Sequence, residues 1–234
     1  NSTAYQIQIS MIIKEIEPFR GTDKFQIAGR HINEQMAFYL RRYFGDSKDV
    51  YVINNLSLGK DGESLQIDHL VIHQNGLIII ESKSVAGKIA ITNDLQWIRQ
   101  YKEFSTGMKS PIIQAEMQKM LLTSIIEELK SEFGEDIPAG NIEIMIAISD
   151  NGIIDWSDQG PIDGVYKAEN ICKNIKLIIG QPSYKKILDE DIEKIKKDII
   201  DMKIISPSQT DYLDPQWRPR GNYPQWIAEF FCDC

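Results

Sequence analysis

Residues 66–83, QIDHLVIHQNGLIIIESK, place one Asp, one Glu and one Lys inside two otherwise apolar strands. Ionised groups do not serve packing there, because a charge taken out of water must be paired or bound to a cation. Asn75-Gly76 is the strongest short-range signal for a two-residue hairpin turn, since both central residues of that turn need positive φ. A turn on those two residues sets Ile72 opposite Ile79, Leu70 opposite Glu81 and Asp68 opposite Lys83. Side chains alternate along a strand, so all six project from one side of the sheet. Asp68 and Glu81 become diagonal neighbours, roughly 7–8 Å apart at the backbone, with an ammonium beside them. Two carboxylates and a lysine at one end of an apolar hairpin suggest a metal site.

At 234 residues the chain accommodates one large domain, or a domain with an appendage. Its 42% hydrophobic and 26% charged residues suit a globular protein that folds in water. No apolar run approaches the ~18 residues of a membrane span, so no membrane partner is expected. Met11, Ile12 and Ile13 are followed at once by Lys14 and Glu15, which breaks any signal-peptide core. Cys172, Cys232 and Cys234 do not form a disulfide framework and fit a reducing cytoplasm, the expected location. A net charge of −8 does not advertise nucleic-acid binding. Yet between 83 and 109 the five cations Lys83, Lys88, Arg99, Lys102 and Lys109 face only Asp94 and Glu103, interleaved with Trp97, Tyr101 and Phe104. That segment could track a phosphate backbone, or be a solvated strand and loop with some core aromatics.

Residues 1–27 carry little periodicity and read as an arm. From 28 to 44 the pattern is helical, with Ile32, Met36, Tyr39, Leu40, Tyr43 and Phe44 on one arc. Glu34 lies outside that arc, an exposed helix carboxylate on pattern alone. Strands are expected over 49–58, 88–92, 97–101 and 141–149, with a short one around Val165 and Tyr166. Ser110-Pro111 starts a helix running to about 133, its inner stripe Ile113, Met117, Met120, Leu121, Ser124 and Ile125. Residues 150–164 read as a polar loop, and 170–179 and 183–200 as helices. The domain is expected over 28–205. Residues 206–234 hold Pro207, Pro215, Pro219 and Pro224 with Trp217 and Trp226, a tail suited to wrapping the domain, docking a helicase-type partner or joining a homo-oligomer.

Taken with its surroundings, the hairpin resembles the nuclease-related domain, NERD, a branch of the PD-(D/E)XK superfamily. AGRHINEQMAFYLRRYF at 28–44 looks like the family's Gly-to-Glu helix start, and DVYVINNLSL at 49–58 like the strand after it. QIDHLVI and GLIIIESKSVAGKI look like its two signature strands, and PIIQAEMQ at 111–118 like its Pro-to-Gln helix start. The resemblance covers about 28–200 in the same order. It implies a restriction-endonuclease-like α/β fold, a central mixed β-sheet flanked by helices on both faces. It also implies roles: Asp68 and Glu81 as acidic metal ligands, Lys83 as the catalytic lysine, Glu34 as the helix carboxylate near the site, and Gln114 as the helix glutamine. Gln66 stands where the family's strand often has an acid, and is left out of the site. Ile67 stands where the superfamily name implies Pro, a variable position.

The chemistry supports these roles without the name. A phosphodiester is anionic and repels hydroxide, so its hydrolysis needs a cation that neutralises developing charge and lowers the pKa of a water. Mg²⁺, or Mn²⁺ in its place, prefers oxygen ligands and is held by one or two carboxylates. Asp68 and Glu81 offer these, with the backbone carbonyl of Ser82 as a third ligand. Lys83 could position the water or stabilise the pentavalent phosphate, and its carboxylate neighbours favour the electrostatic role. His69 and His73 point to the opposite face and read as ordinary sheet histidines; His31 has no identified partner. Cys232 and Cys234 supply only part of a zinc site. The expectation is a nuclease acting on DNA, or RNA. The rivals are a non-catalytic nucleic-acid- or partner-binding module that retains the fold, and a subunit recruited through its tail.

Overall fold

The computed structural model describes residues 11–18, 24–60, 63–133, 141–156 and 160–181, together with Ile192 and Lys197. The tail over 206–234 and nearly all of the helix expected over 183–200 lie outside these residues. The elements run β1 (Ile12–Lys14), α1 (Lys24–Phe44), β2 (Val50–Lys60), β3 (Glu63–His73), β4 (Gly76–Lys83), β5 (Lys88–Ile91), β6 (Trp97–Tyr101) and β7 (Phe104–Met108). They continue with α2 (Pro111–Phe133), β8 (Ile142–Ile148), β9 (Ile153–Asp155), β10 (Val165–Lys167) and α3 (Ala168–Ile179).

Residues 77–80, LIII, are apolar without alternation, the signature of a strand covered on both faces. β4 is accordingly central in a six-stranded sheet ordered β1-β2-β3-β4-β8-β10. Antiparallel pairing joins β2 to β3 and β3 to β4, while β1 on β2, β8 on β4 and β10 on β8 run parallel. Ile78 and Ile80 pack beneath Ile32, Met36 and Leu40 of α1 and Ile171 and Ile175 of α3. Leu77 and Ile79 face Leu122, Ile125 and Ile126 of α2 on the other side. Each such side chain contributes roughly 1.5–3 kcal/mol by leaving water. The mixed sheet with helices on both faces is the expected fold.

The hairpin register differs from the expected one by two residues. Its last pairs are Ile72 with Leu77 and His73 with Gly76, so the two-residue turn is Gln74-Asn75. Tertiary demands claim the Asn-Gly pair instead. The Asn75 amide nitrogen donates to the carbonyls of Ile178, Ile179 and Gln181 at 3.3, 3.0 and 3.2 Å, holding the C-terminal end of α3. Gly76 sits at φ +147° where any Cβ would strike the Asn141 carbonyl and lie 2.7 Å from its Cβ. That close approach lets the Leu77 N–H bond the Asn141 carbonyl at 2.9 Å and start the β4–β8 pairing. A shift of two preserves every side chain's face but changes who stands opposite whom.

Helix α1 buries Ile32, Met36, Leu40 and Phe44 as its period requires, and leaves Tyr43 exposed. On α2 the expected stripe is rotated: Ala115, Gln118, Leu122, Ile125 and Ile126 are buried, whereas Ile113 and Met120 are exposed. Ser110 caps this helix through its hydroxyl, 3.5 Å from the Ile113 N–H. Part of the arm belongs to the sheet, as β1. A second sheet, ordered β7-β6-β5-β9, includes two unexpected strands, β7 and β9; β9 lies within the segment read as a polar loop. Val85, Ile89, Ile91 and Trp97 join this sheet to Ala115, Ile146 and Ile148 of the main body.

Candidate active site

Asp68 lies where the sheet's regular pairing is interrupted on both sides. The β3–β4 ladder ends at His69 with Ile80, so the next residues outward, Asp68 and Glu81, face each other. Across β2, pairing passes from Asn54–His69 to Leu56–Ile67, and the intervening Asn55 has φ +49°, a left-handed conformation Asn tolerates well. Asp68 bonds where the ladder does not: its Oδ2 accepts the Ser82 N–H at 2.9 Å and its Oδ1 accepts the Asn33 amide of α1 at 3.1 Å. A strand residue directs its N–H and carbonyl to the same side, and the next residue directs them to the other. The Lys83 carbonyl accepts from Ser149 on the β8 side, so the Ser82 carbonyl points to the β3 side.

Glu81 is only 3% exposed, and its oxygens are held by three donors. Lys83 Nζ lies 2.7 Å from Oε1, the Gln114 amide 2.7 Å from the same oxygen, and the Gln118 amide 2.8 Å from Oε2. Gln114 also accepts from Lys83 Nζ at 2.9 Å, so its amide can stand only one way, oxygen to the ammonium and nitrogen to the carboxylate. The spacing of α2 makes this work. Gln114 and Gln118 are one turn apart and share the face that meets β4. Gln118 further donates to the Gln66 carbonyl at 2.8 Å, tying β3 to β4 where their ladder has opened. Gln118→Ala leaves a buried carboxylate oxygen short of a donor and is expected to destabilise the protein by about 1–3 kcal/mol, read as a lower urea midpoint.

Burial first, and the charge of Glu81 second, raise the Asp68 pKa from the ordinary 3.8 to about 7. The Ser82 N–H, Lys83 and Asn33 oppose the shift without cancelling it. Burial and the facing carboxylate of Glu81 thus both disfavour an ionised Asp68 in the absence of a cation. A divalent cation fits that donor set: two carboxylates, a backbone carbonyl on the same side of β4 as Asp68, and water for the remaining positions. Among the described residues no group of three or more His, Cys, Asp or Glu is placed to hold a metal.

Of the residues expected from sequence, the structure brings Asp68, Glu81, Ser82, Lys83 and Gln114 together. Glu34 is turned to its own helix, 2.7 Å from Arg30 Nε and half exposed. Asn33, one residue earlier, reaches Asp68 in its place. Asn33 and Gln118 were missed because neither carries charge; a glutamine at helical spacing from Gln114 was the only signal. His69 and His73 occupy the opposite face and are buried, which lowers their pKa values to about 3 and 4 and keeps them neutral. His69 Nδ1 bonds the Asn54 side chain at 2.7 Å. Cys172 is buried and its thiol is pushed up to about 12; Cys232 and Cys234 lie outside the described residues.

The turn after β8 is held from two sides. Asp150 accepts from Gln35 at 2.9 Å and Tyr39 at 2.6 Å, both on α1, and Lys167 Nζ donates to the carbonyls of Ser149, Asp150 and Gly152. Since Ser149 bonds the Lys83 carbonyl, this lock also fixes the end of β4.

A mixed sheet with helices on both faces, carrying two acids and a lysine at the open end of its inner hairpin, defines a restriction-endonuclease-like α/β domain. Within that class the chain belongs to the nuclease-related domain family, NERD, whose model matches residues 28–149, just over half of its length. The match spans Asn33, Asp68, Glu81, Ser82, Lys83, Gln114 and Gln118. No curated protein and no solved structure matches. Among the described residues no helix is long and apolar enough to cross a membrane.

Proposed function

We propose that this nuclease-related domain is a metal-dependent nuclease that hydrolyses phosphodiester bonds in DNA, with RNA as the alternative polymer. The observation that carries the reading is the Glu81–Lys83–Gln114 triangle set beside Asp68, which faces Glu81 where the β3–β4 ladder opens. Asp68, Glu81 and the Ser82 carbonyl would hold Mg²⁺ or Mn²⁺. When bound, that cation supplies an acidified water and neutralises charge on the phosphate. Asp68 gives up its proton on forming the site, since a ligating carboxylate must be ionised. Gln118 and Gln114 fix both oxygens of Glu81, so the carboxylate is oriented before substrate arrives. Lys83, steered by Gln114, presents its ammonium to the non-bridging phosphate oxygens, where negative charge grows in the transition state. Asn33, not the neighbouring Glu34, is the α1 side chain that steadies Asp68.

The test is incubation of the purified chain with circular DNA, linear DNA and RNA in Mg²⁺, Mn²⁺ or EDTA. Cleavage confined to the metal-containing reactions is expected. Binding without cleavage of any substrate would replace this reading with that of a non-catalytic nucleic-acid-binding module.

A further inference from the structure

The β6–β7 hairpin rises directly beside the site and ends in exposed aromatic rings. Its register pairs Trp97 with Met108, Arg99 with Thr106 and Tyr101 with Phe104, so these six side chains share one face. At the root that face is core: Trp97 and Met108 pack in the cluster containing Ala115, the neighbour of Gln114. Midway, Arg99 donates to the Ser84 carbonyl at 3.1 Å, one residue past Lys83. Two residues further, about 7 Å along the strand, the face opens to solvent with Tyr101 52% and Phe104 78% exposed.

Local geometry holds the tip where it is. Gly87 crosses beneath β6 at φ +90°, and a Cβ there would come within 2.5 Å of the Gln100 carbonyl and 3.4 Å of the Tyr101 ring. The turn residue Lys102 has φ +54°, a conformation that suits glycine, yet it carries a cation 5.6 Å from the Tyr101 ring centroid. Phe104, Ser105, Thr106 and Gly107 of β7 are exposed and uncharged. A protein of net charge −8 thus presents, beside the Asp68–Glu81 site, a hairpin with two exposed rings, Arg99 and Lys102, its turn also carrying the exposed Glu103.

We infer that the Tyr101–Phe104 pair stacks the unpaired bases of a nucleic-acid strand whose backbone enters the Asp68–Glu81 site. Bases in a duplex already cover each other's faces, whereas a single strand offers them free, and stacking on aromatic side chains tolerates any sequence. The preferred substrate is therefore a single-stranded segment, end or flap. This rests on the nuclease reading for the strand's destination, but binding at the hairpin is measurable without cleavage.

The experiment is fluorescence anisotropy of labelled oligothymidylate, and of a duplex of equal length, with the full chain in EDTA. The single strand is expected to bind more tightly than the duplex. Tyr101→Ala and Phe104→Ala should each weaken single-strand binding about tenfold, with Phe104→Tyr restoring it and duplex binding little changed. Wild-type affinity for the single strand in both variants overturns the inference. So does a Phe104→Ala effect confined to sedimentation, which would make β7 an edge between copies of the chain. Mg²⁺-dependent cleavage assayed alongside separates the two readings: hairpin-dependent binding without any cleavage overturns the nuclease reading alone. Cleavage indifferent to both aromatic variants, with unchanged binding, overturns the hairpin alone.

Discussion

Lys83→Met is expected to lower metal-dependent cleavage by about 10²–10³-fold, the typical loss when one preorganised donor to transition-state charge is removed. The substitution keeps the stem's packing and removes the ammonium. Lys83 is bonded to both Glu81 and Gln114, so its ammonium sits in one place before any substrate binds. Loss of that preorganised charge should appear in the single-turnover rate at saturating Mg²⁺, with substrate affinity changed far less. A thermal melt in the same buffer establishes that the variant is folded. A rate within a few-fold of wild type would remove Lys83 from the chemistry and leave it as a structural counter-ion of Glu81.

Asp68→Asn is expected to stabilise the metal-free protein and to remove most of its pH dependence near neutrality. The folded-state pKa of Asp68, about 7, stands above the ordinary 3.8. Between those values the native state binds the proton more tightly than the unfolded chain, so stability falls as pH rises from about 4 through about 7. Each unit corresponds to ~1.4 kcal/mol, and solvent access to this half-buried side chain reduces the net effect to about 1–2 kcal/mol. For a chain of this size that is a rise in Tm of roughly 3–6 °C for Asp68→Asn at pH 8 in EDTA. Mg²⁺ should stabilise wild type at pH 8 more than at pH 5, because the proton and the cation compete for the same carboxylate. Melting curves at the two pH values, with EDTA or Mg²⁺, measure both effects. An unchanged pH slope in Asp68→Asn would place the titrating group elsewhere.

The parts of the fold legible in sequence are those whose local pattern and tertiary role agree. The unbroken LIII run announces a central strand, the four-residue recurrence of Ile32, Met36, Leu40 and Phe44 announces a helix, and Ser110-Pro111 marks a helix start. Asp68, Glu81 and Lys83 stood out because charge is conspicuous in apolar strands. What stayed hidden depends on residues that work against their usual pattern. Asn75-Gly76 has the chemistry of a turn, but its Asn holds the end of α3 and its Gly admits the Asn141 carbonyl, so the register moved by two residues. That movement sets Asp68 opposite Glu81 rather than Lys83, so the two acids expected as diagonal neighbours face each other directly. On α2 the buried stripe passes through Gln118, and a reading that seeks apolar residues turns toward Met117 and Met120 instead. β7 is an exposed edge with no hydrophobic alternation, so nothing in its composition distinguishes it from a loop. Glu34 and Asn33 are adjacent on α1, and only the helix's rotation decides that the amide, not the acid, meets Asp68.

The most direct test of the central claim is cleavage of circular and linear DNA by wild type and Asp68→Ala side by side, in Mg²⁺ and in EDTA. The Asp68–Glu81–Lys83 site predicts products only from wild type and only with the metal. Cleavage by Asp68→Ala at the wild-type rate, or by wild type in EDTA, would contradict it.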